Sequence, residues 1–231
     1  MAGNSNFDVI VIGAGSVGVP AAYYIAKAGL KVLVVDKYAS VGQGANKAAI
    51  GGVRATHSDT AKIRIGLQSL ELQSAWEETF GDNIELHTGG YTFVAYDERE
   101  EEILKGLLKI QHSYGLNIDW LERDELLRAA PALKADGLIG GTLSPEDGNA
   151  SPLLALHGFY KQALHEGARF RFSEPVTGIT VEGGRVRGTE TDKARYAAPV
   201  VINAAGGHAS AVSRLAGLDA PVNPDSHEGG V

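Results

Sequence analysis

The apolar positions of this chain follow two different patterns. Phe7 to Ile12 (FDVIVI), Lys31 to Val35 (KVLVV) and Val200 to Asn203 (VVIN) are β-branched runs with almost no polar alternation. Such runs predict strands buried on both faces, as in a parallel sheet. Between the first two, a helix is expected from about Ser16 to Ala28. Pro20 falls in or near its first turn, where a missing N–H matters little, and Gly29 stops it. The result is a β–α–β unit. Elsewhere the pattern is amphipathic. A helix from Asp59 to Phe80 has Asp59 as N-cap and Ile65, Leu72 and Trp76 as its apolar stripe. Tyr91 to Ala95 reads as a strand. Glu98 to Tyr114 is a helix with Ile103, Leu104, Leu107, Leu108 and Gln111 at helical period, stopped by Gly115. The acidic run Asp97 to Glu102 complements the positive end of that helix.

A shorter helix spans Asp124 to Ala130 and ends at Pro131. Ser151-Pro152 opens another that runs to about Glu166, with cap and proline where helices prefer them. Phe170 to Phe172 is a short strand, and Gly178 to Glu190 a hairpin turning at Gly183-Gly184. The buried-type strands lie outside residues 82–144, and the elements inside differ in kind. The expected organisation is a nucleotide domain in two parts, 1–81 and 145–220, interrupted by a smaller α+β domain at 82–144. Residues 221–231 would begin a further, truncated segment. The fold class is α/β, with a Rossmann-like parallel sheet and flanking helices.

Composition narrows the function. A net charge of −7 argues against a surface built for nucleic-acid backbones. One dinucleotide remains compatible with it, because backbone N–H groups can hold a pyrophosphate. With no cysteine in the chain, disulfides, iron–sulfur clusters, thiolate zinc sites and thiol catalysis within it are excluded. That fits a reducing cytoplasm, the expected location. Met1 to Asn6 are short and polar, so no signal peptide is expected, and no apolar run is long enough to span a bilayer. His87, His112, His157 and His165 have no metal-ligand spacing, and no metal is expected.

The chemistry-bearing motif is Gly13-Ala14-Gly15-Ser16-Val17-Gly18, a G-x-G-x-x-G that leaves a strand and opens a helix. Gly13 permits the tight turn, Gly15 lets the backbone approach a pyrophosphate, and Gly18 lets helix and strand pack closely. Asp36, at the end of the second strand, is placed to accept hydrogen bonds from the adenosine ribose. Its charge argues against a 2′-phosphate, although Lys37 beside it softens the repulsion. NAD or FAD is therefore favoured over NADP.

Four segments together resemble the D-amino-acid oxidase superfamily, within it the branch of the sarcosine oxidase β-subunit and glycine oxidase. They are Asp8 to Asp36, then Gly42 to Arg54 (GQGANKAAIGGVR) with the helix after it. The third is Ser144-Pro145-Glu146-Asp147-Gly148 leading to Ser151-Pro152. The fourth is Glu174 to Ile179 together with Val200 to Gly206. The resemblance implies FAD, bound non-covalently. It implies that Gly44-Ala45-Asn46-Lys47-Ala48-Ala49-Ile50-Gly51-Gly52 passes the pyrophosphate and flavin with its main-chain N–H groups. The small residues of that loop also leave room for a flat ring. The resemblance further implies that the Val176 backbone meets adenine and that Ala204-Ala205-Gly206 approach the phosphate side. His208 stands where relatives carry an aromatic residue, as a flavin-side or phosphate-side candidate.

Arg54 follows the flavin loop, and relatives place near this point an arginine that binds the substrate carboxylate. A guanidinium matches a carboxylate bidentately. His57 and Tyr91 are further substrate-side candidates. The resemblance implies an amine or amino-acid oxidoreductase acting on a sarcosine-, glycine- or proline-like substrate. Two alternatives stand beside it: the same fold acting on another reduced carbon such as glycerol 3-phosphate, and a non-catalytic FAD-holding subunit. Relatives continue past Val231, so a fragment, or a chain completed by other subunits of a hetero-oligomer, is expected.

Overall fold

The computed structural model describes residues 5–225. In chain order its elements are β1 (Ser5–Asn6), β2 (Val9–Ile12), α1 (Gly18–Lys27), β3 (Val32–Val35), β4 (Gly52–Val53), α2 (Thr60–Ser74) and α3 (Trp76–Phe80). There follow β5 (His87–Thr88), β6 (Tyr91–Ala95), α4 (Glu98–Ser113), β7 (Asp119–Glu122), α5 (Arg123–Ala129), β8 (Gly140–Ser144) and β9 (Gly148–Asn149). The last are α6 (Pro152–His165), β10 (Arg169–Arg171), β11 (Val176–Glu182), β12 (Arg185–Thr191), β13 (Arg195–Ala197), β14 (Val200–Asn203) and α7 (Ala209–Arg214). They divide into two compact units, one of residues 1–50 and 152–231, the other of residues 51–151.

The first unit is built on a parallel sheet ordered β10-β3-β2-β14. β2 and β3 are buried along their whole length, as uninterrupted Val/Ile runs require. α1 and α6 pack against each other, with Tyr23 and Phe159 in contact at 5.8 Å between ring centroids. β14 is parallel, as expected, but only partly buried, with Val200 47% exposed. It has a neighbour on one side alone among the described residues. A second sheet, β1-β13-β12-β11, packs its apolar side on the first: Phe7, Ile10, Ile12, Leu33, Val35 and Tyr196 share one core. β11 and β12 form the expected hairpin. Gly183 and Gly184 both have positive φ, at 58° and 74°, the pairing a two-residue hairpin turn needs.

The second unit holds two three-stranded antiparallel sheets, β4-β9-β5 and β6-β8-β7. Its core joins Ala55, Ile63, Leu70, Leu116 and Ile118. Asp59 caps α2 as expected, accepting from the Lys62 N–H at 3.0 Å.

Four expectations need correction. The inserted unit begins at Gly51 and ends at Ser151 rather than spanning 82–144. The reason is that β9 pairs with both β4 and β5, drawing residues 52–53 and the α2 helix after them into the same unit. The apolar face of α2 is Ile63, Gly66 and Leu70, while Ile65 is 63% exposed, and the helix breaks at Ala75 before Trp76. On α4, Ile103 is exposed and the buried member of the predicted stripe is Gln111. Structure also starts before Phe7, because Ser5 and Asn6 pair in parallel with Tyr196 and Ala197. Of the segment 221–231, residues 226–231 lie outside the described residues.

Candidate functional site

In the first unit the Gly13–Gly18 loop sits at the carboxyl end of β2, between the ends of β3 and β14. Its three glycines have separable roles. Gly13 has φ +112°, and a side chain there would strike the Ala204 carbonyl. A side chain at Gly18 would strike the Gly13 carbonyl and crowd Val11. These two glycines are required by the protein's own packing. At Gly15 a Cβ would meet nothing within 4 Å. The space is open, and no hydrogen bond among the described residues uses the N–H of Gly15 or Ser16. Two amides without a hydrogen bond just before the 10-residue helix α1, with open space at Gly15, suit a pyrophosphate.

Asp36 holds this loop in place. One carboxylate oxygen accepts the Ala14 N–H at 2.6 Å and the other accepts the Tyr38 N–H at 2.8 Å. Each oxygen keeps a lone pair for a ribose hydroxyl, so the expected ribose contact is compatible with a loop-fixing duty that the sequence did not suggest. The Asp36 carbonyl accepts the Glu174 N–H at 3.0 Å, two residues before Val176, so the segment expected beside adenine is tied to the same turn. The buried Glu174 carboxylate takes the hydroxyls of Tyr196 at 2.7 Å and Thr191 at 2.8 Å. Burial first, and that carboxylate second, push the Tyr196 phenol above its ordinary range. On the other flank the Ala204 N–H donates to the Ile12 carbonyl at 2.9 Å, and Gly206 turns away with φ +56°. Lys37 and His208 meet, with Nζ 2.9 Å from Nε2.

The loop expected against the flavin is exposed from Gln43 to Ile50 except at Asn46. Ala45–Ala48 forms a single 3-10 turn, anchored by Asn46 Nδ2 donating to the Pro152 carbonyl at 3.3 Å. Gly51 and Gly52 belong to the second unit, where Gly52 opens β4.

The second unit fixes the tetrapeptide Arg54 to His57 from several sides. The Asp147 carboxylate, 1% exposed, accepts the N–H groups of Ala55 at 2.9 Å and Thr56 at 3.3 Å and the Thr56 hydroxyl at 2.6 Å. Gly66 of α2 lies so close that a side chain there would strike Ala55 and the Arg54 carbonyl. Gln111 donates from Nε2 to the His57 carbonyl at 3.1 Å. The Arg54 guanidinium stacks over Tyr91 and Phe93, 5.1 and 5.0 Å from their centroids. Among the described residues no carboxylate lies within ion-pair distance of it. Burial, followed by the charges of Arg54 and Lys62, lowers the His57 pKa from 6.5, against opposing contributions from Asp147 and the Arg54 carbonyl. The neutral form of His57 is thus favoured beside the Arg54 guanidinium on its aromatic platform.

Of the substrate-side candidates, the structure therefore joins Arg54 and Tyr91 directly and sets His57 three residues along the same clamped turn. Asp147, Gln111 and Phe93 complete the arrangement and were not singled out by sequence. A buried polar residue at an apolar helical position, Gln111, was the available signal. Among the described residues no group of three metal-ligating side chains occurs, and no helix is long and apolar enough to cross a membrane.

Comparison with known proteins gives the family. The pattern of the family described as "FAD dependent oxidoreductase" matches residues 8–229. Human mitochondrial sarcosine dehydrogenase is 30% identical, over 94% of this chain and 24% of its own length. Glycine oxidase from Bacillus licheniformis is 30% identical, over 92% of this chain and 58% of its own. The crystal structure of L-proline dehydrogenase from P. horikoshii superposes with a TM-score of 0.87 at 29% identity, covering 93% of this chain and 57% of that one. The chain thus spans about a quarter of the length of the mitochondrial dehydrogenase and under three fifths of the other two. The open space at Gly15, its two free amides and Asp36 fit the family's cofactor, FAD. With the family pattern matched over nearly all of its residues, this chain belongs to the FAD-dependent oxidoreductases.

Proposed function

We propose that the protein oxidises the carbon–nitrogen bond of a small amine or amino acid that carries a carboxylate, as sarcosine, glycine and proline do. One observation supports this above the others: Arg54 is a partly buried arginine with no carboxylate partner among the described residues, its guanidinium over Tyr91 and Phe93 and its backbone clamped. Its N–H fork makes no hydrogen bond or ion pair among the described residues, and such a fork takes a carboxylate bidentately. The names of the similar proteins point the same way, since sarcosine, glycine and L-proline are each a secondary or primary amine bearing a carboxylate.

When bound, FAD supplies the acceptor for a hydride from the carbon beside nitrogen, and the resulting imine is hydrolysed to a carbonyl compound. Asp36 and the Gly15 and Ser16 amides hold the adenosine diphosphate part. Arg54 fixes the substrate through its carboxylate, so that one carbon–hydrogen bond is presented consistently. The lowered pKa of His57 disfavours a second cation beside Arg54.

The test is anaerobic bleaching of the flavin by a panel of N-methyl, cyclic and simple amino acids, with their decarboxylated analogues and glycerol 3-phosphate alongside. Bleaching by the carboxylated amines is expected. Arg54→Lys keeps the charge and loses the planar fork. It should raise KM for a carboxylated amine by about tenfold or more, the worth of a charge-assisted hydrogen bond, and leave the decarboxylated analogue nearly unchanged. Bleaching by glycerol 3-phosphate alone, or equal effects of Arg54→Lys on both amines, would refute the proposal.

A further inference from the structure

The parallel sheet places Lys37 and His208 on opposite sides of the nucleotide cradle. β3 and β14 flank β2, all three run the same way, and Lys37 follows β3 while His208 follows β14. Two strand spacings separate those ends by about 10 Å. The side chains nevertheless meet at 2.9 Å, bridging the edge from which the Gly13–Gly18 loop rises. Both residues are exposed, so no packing of a core forces them together. Lys37 also lies 4.9 Å from the centre of the Tyr38 ring. Among the described residues no carboxylate is within ion-pair distance of Lys37. Its neighbour Asp36 points both oxygens at backbone N–H groups instead.

The chain therefore keeps an uncompensated ammonium over its nucleotide crevice although its net charge is −7. We propose that Lys37 binds the diphosphate of the dinucleotide and that His208 is the positioning residue that holds it there. An ammonium has three donors and a neutral imidazole one acceptor. One Lys37 hydrogen goes to His208 Nε2, and the others remain for phosphate oxygens. Without His208 the long, exposed side chain is free to swing into solvent, and binding must then offset that rotamer entropy. The inference rests on the family's cofactor and not on the substrate reading above.

Calorimetric titration of the flavin-free protein with ADP, adenosine and adenosine 2′,5′-bisphosphate tests it. Lys37→Met should weaken ADP roughly ten- to hundredfold, as loss of a charge-assisted hydrogen bond does. It should leave adenosine unchanged and flatten the salt dependence of ADP binding. His208→Phe should weaken ADP several-fold, only while Lys37 is present, and His208→Gln, which offers an acceptor oxygen, should restore it. Equal losses for ADP and adenosine under Lys37→Met would overturn the assignment, as would a His208→Phe effect that persists in the Lys37→Met background. Tighter binding of the 2′,5′-bisphosphate than of ADP would overturn it too, by placing Lys37 at a 2′-phosphate.

Discussion

Removing the Asp147 carboxylate should release the turn that carries Arg54. In Asp147→Ala the buried amides of Ala55 and Thr56 lose the acceptors now 2.9 and 3.3 Å away. Leaving a buried donor unsatisfied costs about 1–3 kcal/mol each. The Thr56 hydroxyl, 2.6 Å from the carboxylate, can rotate to another acceptor and adds little. Water entering the vacated space recovers part of the loss, so the net destabilisation should be about 2–4 kcal/mol. For a chain of this size that corresponds to a fall in melting temperature of roughly 5–15 °C. The perturbation should be local as well as global. Hydrogen exchange at the amides of Ala55 and Thr56 should accelerate at least tenfold, since about 1.4 kcal/mol of opening free energy is a factor of ten. Asp147→Asn should fall between, because its one carbonyl oxygen can still serve Ala55 while its NH₂ meets the Thr56 donors. If Asp147→Ala melts with the wild type and its Ala55 and Thr56 amides keep their protection, the clamp is not what holds this turn.

Two further outcomes follow from the same geometry. His57 has a folded pKa below its unfolded value of 6.5, so the unfolded chain takes up the proton first as pH falls. Its contribution to stability is intact above pH 6.5 and is lost as pH drops below it; the melting temperature of His57→Gln should therefore gain on the wild type between pH 7 and pH 5, and a difference independent of pH would contradict this. Gly18→Ala should destabilise the first unit by more than about 2 kcal/mol, because its methyl group would overlap the Gly13 carbonyl; a melt within 2 °C of wild type would show that α1 can shift to make room.

The parts legible in the sequence are those whose determinants are local. β2, the glycine loop, α1 and β3 occupy one continuous stretch, and each choice along it agrees with the others: buried strand, open turn, helix, buried strand. The hairpin at Gly183-Gly184 was readable for the same reason. The clamp on Arg54 was not, because Asp147 lies 92 residues from Ala55 and nothing in the spacing joins them. The bounds of the inserted unit are not legible on similar grounds. β4, β5 and β9 are two-residue strands with no periodicity of their own, and only their pairing assigns residues 52–53 and α2 to the inserted unit. On α2, Ile63 and Ile65 are equally apolar, and only the close approach of Gly66 to Ala55 selects the buried face. The sequence suggests Asp36 as a ribose ligand, whereas its hydrogen bond to Ala14 depends on the fold of the loop.

The Gly13–Gly18 loop is expected to hold FAD through space the protein itself leaves open at Gly15. Gly15→Val tests it directly, since a Cβ at this position would meet nothing within 4 Å and the substitution should leave the fold intact. Wild type and variant are purified side by side, checked for equal secondary structure, denatured, and the released cofactor chromatographed and quantified. FAD is expected from the wild type and little or none from a folded Gly15→Val protein. FAD retained in full by Gly15→Val, or NAD released from the wild type in place of FAD, would contradict it.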